Sequence, residues 1–202
     1  SADPDVIHST DQFYTGTSSI YFNSDNSTKK CISIPYNSDL AFDNHPFTIE
    51  YFIYIVGYGT NGNTYVFYQL NDFNYLGMTH RIRKANSGSD TGKIISNTFD
   101  TNGNTAYEFS STQAIPLNSW THIAYVRISD KIKLYINGIL NNEQTLNTNI
   151  NIEYHTSNPL NIGGGGANGT HNLNGYIDGF KLTIGEAMYS ANFDIPIVPF
   201  SK

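Results

Sequence analysis

The sequence predicts an all-β protein, an antiparallel sandwich of two sheets. Three observations carry this. About a dozen short apolar or alternating runs are separated by turns rich in Gly and Asn. Aromatic residues make up 14% of the chain, including 15 Tyr and 12 Phe, while charged residues make up only 14%; such a mixture suits pleated, half-buried surfaces better than amphipathic helices. Finally, Asn137-Gly138 stands between Ile136 and Ile139, and a two-residue hairpin turn with positive φ at both centres favours that pair. The 202 residues contain no linker or charge block. They read as one domain, 1–202, with a core from about 13 to 196.

The elements follow in order. Ser18–Asn23 and Lys30–Ile34 flank a turn at Asp25–Thr28 and predict a first hairpin. Asn37–Phe42 predicts a short helical turn, because Asn37 and Ser38 can cap it and it is too short for a stable helix. Phe47–Val56 is the strongest strand. Phe47, Ile49, Tyr51, Ile53 and Ile55 share one face and form its core side; the other face is mixed, and Glu50 marks it as the semi-exposed side. Gly57–Asn63 is a loop and Thr64–Leu70 a strand. Weaker strands follow at Met78–Arg83, Gly92–Asn97 and Thr105–Phe109. Trp120–Ile128 and Lys131–Ile136 meet at Ser129-Asp130, and Asn137-Gly138 makes the next turn. Leu160–Ile162 is a short strand, and Gly163–Gly169 reads as a flexible loop or sharp strand exit. Tyr176–Ile184 is a long closing strand, and Glu186–Ser190 fits one helical turn.

Composition excludes some functions. The formal net charge is −6 and no basic stripe is present, so the chain is not expected to bind nucleic acid. No run of about 18 apolar residues occurs, so no membrane insertion is expected. The single cysteine, Cys31, lies in an expected strand and reads as a small core side chain.

Little of the sequence spells out catalysis. Retaining glycosidases hold two carboxyl groups about 5–5.5 Å apart, yet no Glu-x-Asp spacing occurs here, and Glu50, Glu108, Glu143, Glu153 and Glu186 stand apart. The histidines (His8, His45, His80, His122, His155 and His171) show no zinc spacing. His122 reads as a packed sheet histidine, whereas His80 with Arg81-Ile82-Arg83 could line a groove. Gly163–Gly166 lacks the following Lys-Ser/Thr that a phosphate loop needs. Asp178 shares a phase with Phe180, Leu182 and Ile184. Alternation therefore points it into the core, unless a bulge at Gly175 or Gly179 turns it outward. An inward carboxylate needs a partner or a cation.

Four blocks carry a family resemblance. They are Ser19–Asn23 with Ile32–Ile34; Phe47–Tyr54; Trp120–Ala124 through Asn137-Gly138; and Gly175–Leu182 through Tyr189–Phe193. In these the chain resembles the laminin-G-like branch of the concanavalin A-like lectin/glucanase jelly rolls. The last block looks most like versions found in phage and other viral structural proteins. The resemblance implies a jelly-roll sandwich and a non-catalytic carbohydrate-binding or adhesion module. Its setting would be a viral tail or fibre, or another secreted surface protein, extracellular or on the virion. The alternatives are a structural assembly domain without a glycan site, and a polysaccharide-degrading enzyme. The resemblance also implies a structural Ca2+ held by Asp178 and carbonyls of the N-terminal segment. The expected partners are a cell-surface or extracellular glycan and, beyond it, other copies or virion proteins. For the glycan, the Tyr/Asn-rich loops supply the candidates: Tyr58, Asn61, Asn63, Tyr65, Asp72, Tyr75 and His171. Tyr rings can stack on sugar faces, and Asn and Asp can bond sugar hydroxyls.

Overall fold

The computed structural model describes residues 6–23, 30–59, 63–70, 77–99, 105–146, 152, 159–165 and 171–197. The strands are β1 (Val6–Ser9), β2 (Ser19–Phe22), β3 (Ile32–Ile34), β4 (Phe47–Ile55), β5 (Thr64–Leu70), β6 (Gly77–Ile82) and β7 (Lys93–Phe99). They continue with β8 (Thr105–Ala114), β9 (Trp120–Ile128), β10 (Lys131–Ile136), β11 (Ile139–Thr145), β12 (Leu160–Ile162) and β13 (Gly175–Ile184). A seven-stranded sheet runs β1-β2-β13-β4-β9-β10-β11, and a six-stranded sheet runs β3-β12-β5-β6-β7-β8. The strand pairings are antiparallel, and the two sheets stack as a jelly-roll sandwich.

Between the sheets lies the main core. Phe47, Ile49, Tyr51, Ile53 and Ile55 of β4, together with Ile123 and Tyr125 of β9, face Phe67, Met78, Ile82, Ile94 and Phe109 of the other sheet. Each such side chain contributes roughly 1.5–3 kcal/mol on full burial. The turn Asn137-Gly138 has φ of 50° and 76°, the geometry its sequence predicts. Gly138 is fixed twice over, because a Cβ there would lie 2.0 Å from the Phe193 carbonyl oxygen. Asn37 caps a short 3₁₀ turn at Ser38–Leu40, its side chain accepting from the Asp39 N–H at 3.0 Å.

Three local expectations are corrected, and one is narrowed to the sharper of its two readings. The first hairpin does not form: β2 lies in the seven-stranded sheet and β3 in the six-stranded one. The chain crosses between layers there, which alternation within either strand cannot reveal. Glu186–Ser190 is not helical; it belongs to an irregular strap whose backbone bonds to the sheet. The exit after β12 is tight rather than loose, since Gly163 and Gly164 are buried against Phe22 and Lys30. Finally, Glu50 is 1% exposed, although it does lie on the face of β4 away from the main core.

That outer face is covered from both ends of the chain. At one end Tyr14 stacks on Phe52, with ring centroids 4.0 Å apart. At the other, Ala187, Tyr189 and Phe193 of the strap pack on Ala124, Val126 and Tyr135. Phe193 stacks on Tyr189 at 3.5 Å and lies edge-on to His122 at 5.7 Å. The Tyr189 hydroxyl donates to Glu50 Oε2 at 2.7 Å, while His122 Nε2 stands 3.6 Å from the same oxygen and Lys181 Nζ 3.9 Å from Oε1. Burial and the Glu50 carboxylate both raise the Tyr189 hydroxyl pKa.

His80 does not line a groove. It is fully buried in the main core, with Nε2 3.5 Å from the Tyr51 hydroxyl and its ring 5.3 Å from that of Tyr125. Burial lowers its pKa from 6.5 to about 3.

Two predictions follow from this packing. Phe193→Ala should cost about 2–3 kcal/mol in chemical denaturation, somewhat less than a fully buried Phe, because Phe193 is half-buried; a loss below about 0.5 kcal/mol would show that the strap holds nothing down. The second concerns pH. The unfolded His80 side chain takes up a proton near pH 6.5, and the folded one only near pH 3. Below pH 6.5 the unfolded state therefore binds the extra proton, and stability falls with pH down to about 3. Between pH 7 and 5 the wild type should lose about 2 kcal/mol more than His80→Leu. Parallel urea curves for the two proteins at both pH values measure the difference.

Candidate functional site

With the outer face of the seven-stranded sheet covered at both ends, the outer face of the six-stranded sheet becomes the candidate surface. Register places its residues. On β6, Met78, His80 and Ile82 point into the core, so Thr79 and Arg81 point out. Arg81 pairs across with Tyr65 on β5 and Ile95 on β7; Thr79 pairs with Asn97, which in turn pairs with Glu108 on β8. Arg83 continues the outward phase of β6 just past its end.

The charges on this face form a triad. Arg81 and Arg83 approach Glu108 at 3.7 and 3.6 Å, and Asn97 Nδ2 donates to Glu108 Oε2 at 3.0 Å. The three charged side chains are partly accessible, at 18%, 30% and 46%. Thr79 and Asn97 are buried beside them, and among the described residues Thr79 Oγ1 and Asn97 Oδ1 have no hydrogen-bond partner. At one edge the rings of Tyr65 and His171 lie 5.4 Å apart, and the Tyr65 N–H donates to the His171 carbonyl at 3.1 Å. Close by, Lys93 pairs with Asp90 at 2.9 Å and lowers the Asp90 pKa.

The expected ligand contacts fall into three groups. Tyr65 and His171 meet on this face, and Asn63 sits at its corner, its Oδ1 accepting from the Lys84 N–H at 3.2 Å. Tyr58 turns inward instead: it packs against the main core and under Gly92, and its hydroxyl donates to the Ile115 carbonyl. Asn61, Asp72 and Tyr75 lie outside the described residues. Sequence reading missed Thr79, Asn97 and Glu108 altogether. Their signal was the alternation of β6, β7 and β8, which places each of them opposite a core residue's phase.

Asp178 also departs from its expected direction. The β13–β4 register shifts between Asp178 and Lys181, with Gly179 at φ 58°. This bulge reverses the alternation, so Phe180 points into the core, against Tyr51 and Phe67, while Asp178 pairs with Phe52 on the outer face. There Oδ2 accepts the Tyr14 N–H at 2.9 Å, the Thr15 N–H at 2.8 Å and the Thr15 hydroxyl at 3.4 Å. The N-terminal segment thus reaches Asp178, as the resemblance implies, but offers donors rather than carbonyl oxygens. Ca2+ takes six to eight oxygen ligands. No group of three His, Cys, Asp or Glu that could hold a metal occurs among the described residues. The donors around Oδ2 are those of a hydrogen-bonded carboxylate, and they offer that oxygen no cation.

Fold and surface together define a lectin-like jelly roll with an accessible, charged sheet face. The profile of the concanavalin A-like lectin/glucanases superfamily, in its laminin G form, matches residues 26–183, and the chain belongs to this superfamily. No curated protein sequence matches the chain significantly. Among solved structures, the chain is similar to the binding domain of Paraclostridial Mosquitocidal Protein 1, with TM-score 0.70 and 17% identity over 94% of this chain and 44% of that one. It is also similar to the botulinum neurotoxin serotype D ligand binding domain in complex with N-acetylneuraminic acid, with TM-score 0.66 and 15% identity over 94% and 43%. A third is domain 4 of AbnA, an extracellular arabinanase of Geobacillus stearothermophilus, in complex with arabinotriose, with TM-score 0.60 and 14% identity over 91% and 77%. At these identities the likeness is one of fold. The chain spans less than half the length of the two toxin fragments.

Asp178→Asn keeps the volume and removes the charge that its donors face. It should cost about 2–3 kcal/mol in urea denaturation, the range for hydrogen bonds to a charged group. EDTA should leave the wild-type melting temperature unchanged. A drop of several degrees on chelation, reversed by added Ca2+, would reinstate the ion at this carboxylate.

Proposed function

We propose that the chain is a non-catalytic carbohydrate-binding module that presents the outer face of its six-stranded sheet to glycans outside the cell. One observation carries this reading: Tyr65 on β5 pairs across with Arg81 on β6 and packs its ring on His171 at the sheet edge, while Arg81 and Arg83, just past the end of β6, meet Glu108 on β8. Rings offer an apolar platform to a sugar face, and charged groups bond its polar substituents; sugar sites combine both. The arabinanase domain, of which the chain covers 77%, supports the reading, because its structure holds arabinotriose on the same fold.

The parent protein is proposed to be displayed outside the cell, as a secreted surface protein or, as the closing block suggests, in a phage tail or fibre. A single shallow sugar site binds weakly, and display in several copies multiplies avidity by roughly 10²–10⁴. Other copies of the chain, or neighbouring virion proteins, would supply that display.

A glycan array probed with the domain in multivalent form tests the proposal. Binding to a defined subset is expected, and Tyr65→Ala should reduce it about tenfold, since an aromatic contact contributes about 0.5–1.5 kcal/mol beyond its buried area. A clean negative across bacterial, algal and animal glycans would leave a structural assembly domain instead.

A further inference from the structure

Among the described residues, the candidate face holds an imbalance of charge. Two guanidinium groups share one carboxylate, in a chain whose formal net charge is −6. The separations of 3.7 and 3.6 Å are ion-pair distances beyond hydrogen-bond length. Partly exposed pairs of this kind hold their partners weakly. Glu108 Oε2 is already engaged by Asn97 Nδ2. Each guanidinium offers five N–H donors in a rigid fork, so Glu108 uses few of them.

The two arginines are also held in place. Among the described residues their buried Nε atoms have no hydrogen-bond partner, while the side chains remain 18% and 30% accessible. Each side chain is thus largely packed and still reaches solvent. A planar oxyanion accepts two parallel N–H bonds from such a fork. Tyr65, paired with Arg81 across the strand, places a ring beside that fork.

We infer that this face takes a glycan bearing a carboxylated sugar, whose carboxylate is held by Arg81 and Arg83 while Tyr65 packs against the neighbouring ring. The inference rests on the glycan reading of the face and specifies its ligand class. The net charge of −6 repels densely charged anionic polymers, so the proposed ligand carries its acid on a single sugar among neutral ones.

The test uses the multivalent domain with oligosaccharides that end in glucuronic, galacturonic or sialic acid. Each is paired with its carboxyl-reduced form, the acid converted to the alcohol. For at least one pair, reduction should lower affinity tenfold or more, and raising salt should weaken only the acidic form. Arg81→Gln and Arg83→Gln should each lower affinity for that acidic form about tenfold and leave its reduced form within twofold. Arg81→Lys, which keeps the charge and loses the fork, should fall between wild type and Arg81→Gln. Equal binding of acidic and reduced forms, or full affinity in both Gln variants, overturns the carboxylate inference and leaves the glycan module standing. Failure of every form to bind, with a positive array elsewhere absent, overturns both.

Discussion

The constraint on which this structure depends is that β4 is buried on both faces. Every residue of the strand is buried except Tyr54, which is half-buried. One face supplies the main core. The other carries Thr48, Glu50 and Phe52, none of them exposed, and must be shielded by chain from elsewhere. Both ends of the described chain do this. Tyr14 lies on Phe52, while Thr48 accepts the Met188 N–H and Tyr189 bonds Glu50. Gly138 must lack a Cβ because the strap backbone at Phe193 passes against it, and Gly179 bulges β13 at the point where its outward residue, Asp178, receives the N-terminal segment.

Glu50 shows how strongly the strap is tied to the sheet. A buried carboxylate is costly unless polar neighbours answer it. Here Tyr189 supplies a short hydrogen bond from the strap, and His122 and Lys181 approach from the flanking strands. A strap residue thus satisfies a group inside the sheet, so removing the strap would expose apolar surface and take the Tyr189 hydrogen bond from Glu50 together. This coupling bears on function. A sheet face whose polar groups are consumed by its own chain has little to offer a ligand, which is why the proposed glycan site lies on the six-stranded sheet.

The parts of the fold that depend on neighbours in sequence were legible. The core phase of β4, the strand β9 and the Asn137-Gly138 turn follow from period-2 alternation and from the φ that Asn and Gly tolerate. The parts that depend on distant chain were not. Nothing within Ser19–Phe22 or Ile32–Ile34 says that they lie in different sheets. Alternation carried past Gly179 sends Asp178 the wrong way, because a single inserted residue reverses every phase before it. Glu50 looked exposed because its cover lies nearly 140 residues away, at Tyr189. The site was half legible for the same reason. Tyr65 and His171 stood out by residue type, whereas Glu108 looked solitary until β7 brought β8 beside β6.

Rigidity decides what the remaining face can do. Arg81, Tyr65 and Glu108 project from paired strands whose opposite sides are locked in the core by His80, Phe67 and Phe109. Their backbones have no freedom left to lose, so a ligand meets groups already in position, and the ordering cost that weakens loop-built sites is largely absent. The strands themselves present an open surface. A sheet of this kind can recognise a sugar from one side only, with modest affinity per copy. That property suits attachment through many weak contacts rather than turnover, and it is the physical reason to read the domain as a binding module.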